Sequence, residues 1–141
     1  MITTIYVENG VGREVTDALN VFRPPLDPRA RPVQRVNAEF QADVHKQMQR
    51  RQKGDDWWIR DVASRGMAIL TQDRAILDDV DERQAITASS AIVFALAKGD
   101  YTVWDKFRCV ARNWSIISET LAESGPRGVV LWLSRSPETV L

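Results

Sequence analysis

The sequence predicts an α/β fold, a single-domain three-layer α/β/α sandwich around a mostly parallel central sheet, and three observations carry that prediction. Apolar runs suited to strands alternate along the chain with segments of helical spacing. Two of these runs, Met67 to Thr71 (MAILT) and Ala91 to Ala97 (AIVFALA), are almost continuously apolar, as strands covered on both faces must be. The chain also opens with a complete βα unit. Its 141 residues suffice for one core and are too few for two, so residues 1–141 are expected to form one domain.

The elements follow in order. Residues 2 to 7, ITTIYV, are β-branched and aromatic and end at Glu8-Asn9-Gly10, a strand followed by a turn. Val11, Val15, Ala18 and Leu19 then recur at helical spacing, which predicts a helix from about Val11 to Asn20. The four prolines between Pro24 and Pro32 make FRPPLDPRARP a connector. Val33, Val36, Phe40, Val44 and Met48 share one helical face in the stretch that follows. An extra long amphipathic helix is therefore predicted up to Gly54, with Lys46, Arg50, Arg51 and Lys53 in its last turns, where cations suit the helix dipole. Connector and helix together form an insertion over about residues 22–53.

Asp55 and Asp56 stand where the next helix needs an N-cap, and Trp58, Ile59, Val62 and Ala63 give that helix its apolar face. Arg65-Gly66 closes it and the strand MAILT follows. A loose helical stretch then runs from Asp73 to about Thr87, before the strand Ala91 to Ala97, which Gly99-Asp100 ends. One well-packed helix is predicted from Thr102 to about Glu123, stopped by Gly125-Pro126, and Gly128 to Leu133 reads as a last strand.

Composition narrows the function classes. With 44% hydrophobic and 27% charged residues the chain reads as a soluble globular protein, and no run of about 18 apolar residues exists, so no membrane partner is expected. The opening MITTIYVENG lacks the features of an export signal, which predicts a cytoplasmic protein. The 19 basic and 19 acidic residues balance, so any binding of nucleic acid must use a local basic surface or metal ions. Cys109 is alone, so it has no partner for an internal disulfide and is expected to be a buried small hydrophobe. His45, also alone and among polar residues, is expected to be exposed; zinc and Cys-His chemistry have no support. Neither GxGxxG nor GxxxxGK[ST] occurs.

What remains is a set of acids. Ligand sites of parallel sheets lie beyond the carboxyl ends of the strands. Glu8 ends the first strand, Asp73 lies two residues past Thr71, and Asp55 opens the helix that leads into MAILT. Three carboxylates converging there would suit a hard divalent cation, Mg²⁺ or Mn²⁺, which takes oxygen ligands and can activate water against a phosphodiester. Each acid also has an ordinary role open to it: Asp55 or Asp56 as a helix cap, Asp73 as the opener of the next helical stretch, Glu8 as a surface acid. Asp56, Asp78, Asp79 and Asp100 are auxiliary acids with weaker claims.

The stretch DDWWIRDVASRGMAILTQDRAI resembles the core of the PIN-like domain family, in particular the branch of VapC-type toxins. The matching residues are Asp55, Asp56, Trp58, Ile59, Arg65, Gly66, Thr71, Asp73 and Arg74. The likeness continues through Glu82-Arg83, AIVFALA, the turn at Lys98-Gly99-Asp100-x-Thr102 and the helix containing Trp104. The resemblance implies a metal-dependent ribonuclease, the toxin of a toxin-antitoxin pair, with RNA as substrate and a cognate antitoxin protein as partner. It implies that Glu8, Asp55 and Asp73 are the catalytic acids and hold Mg²⁺ or Mn²⁺. Arg74 and Lys98 are then candidates for phosphate contact. On the inserted segment the family is silent; its amphipathic face and basic end suit either a flap or homodimer arm from which Lys46, Arg50, Arg51 and Lys53 contact RNA, or a solvated helix whose charges only confer solubility. The chain departs from the family pattern at Glu8, where Asp is usual, at Gly10, where an acid or amide is usual, and in the length of the 22–53 segment. The first two departures motivate the alternative of a PIN-like interaction or regulatory module with weakened metal chemistry.

Overall fold

Side chains alternate across a strand, and in this chain that alternation divides the core in two. The computed structural model describes residues 1–46, 56–97, 101–123, 128–134 and 138–140. Its strands are β1 (Thr4–Val7), β2 (Asn37–Phe40), β3 (Ala68–Thr71), β4 (Ile92–Leu96), β5 (Val129–Leu133) and β6 (Glu138–Thr139). Its helices are α1 (Arg13–Phe22), α2 (Gln41–Val44), α3 (Asp56–Ser64), α4 (Val80–Ser89), α5 (Val103–Arg112) and α6 (Trp114–Ala122), with a 3-10 turn over Arg74–Leu77. The sheet order is β2-β1-β3-β4-β5-β6; the first five are parallel neighbours and β6 pairs antiparallel with β5.

Ile5 and Val7, with Ile92, Phe94 and Leu96, face a layer formed by α1, α5 and α6, whose Val15, Leu19, Val110, Ile117 and Leu121 join the same cluster. Tyr6, Ile69, Val93 and Ala95 face the opposite layer, where Trp58, Ile59 and Val62 of α3 and Ala85 and Ile86 of α4 cover them. This is the α/β/α sandwich that the alternating sequence predicts. Cys109 is buried at 8% exposure, as expected of a small hydrophobe. Gly66 closes α3 at φ 74°, with Met67 N–H bonding Val62 O and Gly66 N–H bonding Ala63 O, the paired bonds of a Schellman ending. Among the described residues no helix is long and apolar enough to cross a membrane.

The predicted long helix over residues 33–53 is not what forms. Residues 37–40 are strand β2, paired in parallel with β1 from Thr4↔Asn37 to Val7↔Phe40, and only the single turn of α2 follows. Val36, Ala38 and Phe40 pack on the first cluster while Asn37 and Glu39 are exposed. The same residues therefore fit a two-residue period as well as a helical one, and pairing with β1 decides between them. Met48 and the basic positions Arg50, Arg51 and Lys53 lie outside the described residues.

β2 is one of the two outer strands of the sheet, and α1 covers its outer side chemically. Asn20 donates from Nδ2 to Ala38 O at 2.9 Å and accepts Ala38 N–H on Oδ1 at 2.8 Å. A side-chain amide thus takes the place of a further strand. The predicted Thr102–Glu123 helix is divided in two at Asn113, whose buried side chain donates to Cys109 O at 2.8 Å. Its carboxamide competes for a carbonyl one turn back, which is how asparagine interrupts helices.

Candidate functional site

The strand order fixes where a ligand site belongs. The β1 connection leads outward to β2, and the next connection crosses back to β3, so the carboxyl ends of β1 and β3 flank the topological switch point of the parallel sheet. Glu8 and Thr71 stand there side by side. Past the last register pair, Val7↔Leu70, Glu8 N–H still donates to Leu70 O at 2.9 Å.

The side chains at this edge are tied together. Thr71 Oγ1 donates to Glu8 Oε2 at 3.0 Å and itself accepts Asp73 N–H at 3.0 Å. Glu8 Oε1 accepts Gly10 N–H at 3.0 Å, closing the loop after β1. Asp73 Oδ1 accepts Ala75 N–H at 3.0 Å and so caps the 3-10 turn, while Oδ2 has no hydrogen bond among the described residues. The ordinary role foreseen for Asp73 is therefore real, and it leaves one carboxylate oxygen available.

Two neighbours of this pair carried no signal in the sequence. A Cβ added to Gly10 would stand 2.8 Å from Gln72 Nε2 and 3.2 Å from Glu8 Oε2, so the Gln72 carboxamide fills the space that a side chain at position 10 would take. Gln72 Oε1 is buried and has no hydrogen-bond partner among the described residues. Lys106, 96 positions away on α5, donates from Nζ to Gly10 O at 2.9 Å and brings a cation beside the Glu8 loop. Gln72 is the unremarked residue between Thr71 and Asp73, and Lys106 arrives only through the packing of α5.

The donors gathered here are all oxygens: the Glu8 and Asp73 carboxylates and the orphaned amide oxygen of Gln72. That chemistry fits a hard cation of the Mg²⁺ or Mn²⁺ type, which needs only one or two protein carboxylates beside water and substrate phosphate. Among the described residues no group of three His, Cys, Asp or Glu side chains could hold a metal ion. The third predicted acid, Asp55, lies outside the described residues, directly before the first residue of α3.

The remaining predicted residues are spread more widely. Asp56 is the half-buried first residue of α3. Asp78 is exposed at the end of the 3-10 turn, and Asp79 caps α4 by accepting Glu82 N–H at 3.0 Å. Arg74 follows Asp73 in the 3-10 turn, and Lys46 is exposed just after α2. Lys98 and Asp100, like Arg50, Arg51 and Lys53, lie outside the described residues.

His45, expected to be exposed, is buried at 1% exposure. The turn that replaces the predicted helix carries it inward, where Tyr6 OH lies 2.6 Å from Nδ1 and Asp61 Oδ2 lies 2.7 Å from Nε2. A polar ring tolerates such burial because both nitrogens are satisfied. Burial also pushes the Tyr6 phenol pKa above its ordinary value, against the lowering effect of a bond from Gln41.

Comparison with protein-family models matches residues 4–98 to one described as PIN like domain. The match runs from β1 to just past β4 and includes Glu8, Thr71, Gln72 and Asp73. Comparison with curated proteins gives no match, and neither does comparison with solved structures.

Proposed function

The chain belongs to the PIN-like domain family, and on that premise we propose that it is a metal-dependent ribonuclease that hydrolyses RNA phosphodiester bonds. The single observation that carries this reading is the linked trio Glu8, Thr71 and Asp73 at the β1/β3 switch point, with only oxygen donors around it. PIN domains are in general nucleases that use divalent metals, which agrees with that donor set.

Glu8 and Asp73 would hold the cation, with Asp55 as the third acid and Gln72 Oε1 as a neutral donor. When bound, a hard divalent cation acidifies water for attack on a phosphodiester and offsets charge on the phosphoryl oxygens. The chain's own part is to orient. Thr71 fixes the Glu8 carboxylate through Oε2, Gly10 N–H fixes it through Oε1, and Ala75 N–H fixes Asp73. Lys106 supplies a positive charge at the loop where an anionic substrate would arrive, and Arg74 and Lys46 are further phosphate contacts in this reading. The role of toxin in a pair with a cognate antitoxin is a proposal supported by the sequence resemblance alone.

A second reading has Glu8 and Gly10 in its favour, which stand where the family pattern has Asp and an acid or amide. It makes the chain a PIN-like interaction module with weakened metal chemistry. Incubating total RNA with purified protein and Mg²⁺ or Mn²⁺ separates the two. Cleavage abolished by EDTA and by Asp73→Asn is the expected result; well-folded, partner-free protein that leaves RNA intact with both metals favours the module.

A further inference from the structure

The chain holds one histidine, and the chemistry above makes no use of it. His45 is fully enclosed, with Tyr6 on Nδ1 at 2.6 Å and Asp61 on Nε2 at 2.7 Å. Trp57 meets the imidazole edge-on at 5.1 Å, and Trp58 stacks on Tyr6 at 5.4 Å. Arg65, just past the end of α3, holds the same Asp61 oxygen at 3.0 Å. A ring engaged on both nitrogens and met edge-on by an indole has one orientation open to it.

The partners belong to the elements that carry the acids. Tyr6 lies two residues before Glu8, on the same face of β1. Trp57, Trp58 and Asp61 belong to α3, whose first residue Asp56 adjoins Asp55. The segment bearing His45 is anchored at the same edge, since Gln41 Oε1 accepts Asn9 N–H at 2.8 Å. Apolar packing of Trp58, Ile59 and Val62 sets how deeply α3 sits, but such packing is non-directional. Rotation and sliding of α3 against β1 are restrained by directional bonds, and the His45 bonds span the two elements. A carboxylate oxygen accepts, so Nε2–H donates to Asp61 Oδ2 and the Tyr6 hydroxyl faces Nδ1.

We propose that His45 is a positioning residue for the acidic edge: with Nδ1 on Tyr6 and Nε2–H on Asp61, it ties the strand that leads to Glu8 to the helix α3. Its consequence for metal binding rests on the nuclease reading; its geometry does not.

With one histidine, the imidazole signals of ¹⁵N-labelled protein need no assignment. A single ring state with the proton on Nε2 is expected. His45→Asn, checked by a cooperative melt, should displace the amide resonances of Glu8 and of Asp56 to Trp58 while leaving those of β4 and α6 in place. Mn²⁺ affinity and kcat should fall roughly tenfold or more, the range seen for residues that orient metal ligands, with KM for RNA changed less than about twofold. Asp61→Asn, whose amide oxygen still accepts from Nε2, should keep most of both quantities, and Asp61→Ala should not. Interconverting tautomers, or a folded His45→Asn with the Glu8 and α3 amides unmoved, would overturn the proposal. Should His45→Asn fail to fold, the two Asp61 variants probe the same link, and equal behaviour of the pair overturns it. A wild-type protein with neither cleavage nor Mn²⁺ binding would sink the nuclease reading alone, leaving the resonances to decide this one.

Discussion

The hydroxyl of Thr71 donates to the Glu8 carboxylate at 3.0 Å and on the same oxygen receives the Asp73 amide proton at 3.0 Å. One side chain of β3 thereby orders both described acids of the switch point. Thr71→Val removes the hydroxyl at nearly constant volume and should destabilise the fold by about 1–3 kcal/mol, because it leaves polar partners unpaired at a part-buried site. Mn²⁺ affinity should fall with it, while Thr71→Ser should retain most of both. Denaturant melts with a Mn²⁺ titration check this; wild-type affinity in a folded Thr71→Val protein would show that the bond orders nothing.

Asp73 and Asp79 both cap turns, yet only Asp73 lies at the carboxyl end of a strand. Asparagine caps about as well as aspartate, so Asp73→Asn should leave the thermal midpoint close to wild type while abolishing metal-dependent cleavage. Asp79→Ala should do the reverse, costing about 1 kcal/mol of stability with cleavage intact. Equal loss of cleavage in both would mean that capping, not charge at the edge, supports activity.

Gly10 and Gln72 compete for one space, since a Cβ at position 10 would come within 2.8 Å of Gln72 Nε2. The atom met first is the end of a flexible side chain that can shift, so Gly10→Ala should destabilise by only about 1 kcal/mol. In a Gln72→Ala background that cost should shrink by at least about 0.5 kcal/mol, the threshold for contacting residues in a double-mutant cycle. Additive effects would place the strain elsewhere.

Asn20 closes the outer edge of β2 with two hydrogen bonds to Ala38. Asn20→Leu should lower stability by about 1–3 kcal/mol and expose a strand edge that pairs with other chains. Light scattering at rising concentration tests the second effect; a strictly unchanged mass profile would argue that the edge is guarded by other means.

The Tyr6 phenol has a folded-state pKa raised above its ordinary value of 10.0, with burial as the main cause. Unfolded chains then lose this proton first as pH rises, so the stability it contributes is complete below about pH 10 and declines above it. Above about pH 10 the urea midpoint of wild type should fall more steeply than that of Tyr6→Phe. Parallel curves for the two proteins would remove Tyr6 from the alkaline transition.

Much of this molecule could be read from local patterns. MAILT and AIVFALA announced strands covered on both faces, because a chain places such runs in water only at high cost, and β3 and β4 are buried along their length. The acids Glu8 and Asp73 were visible as residues following predicted strands, since strand ends are where a parallel sheet offers its site. The edge strand β2 was not legible: Val33, Val36, Phe40 and Val44 suit a helix, and Val36, Ala38 and Phe40 suit a strand equally well. His45 gave the appearance of a surface residue because its sequence neighbours are polar, while the groups that bury it come from positions 6 and 61.

By itself, then, the sequence determined the α/β class, the order of the principal strands and the presence of acids after two of them. Only the tertiary structure decided that Thr71 joins those acids, that Gln72 takes the space beside Gly10, that Lys106 reaches the same loop and that His45 bridges β1 and α3. Periodicity reports which face of an element turns from water, a property of neighbouring residues. Which side chains meet across elements depends on register and crossover, and those are set by pairing between segments far apart in the chain.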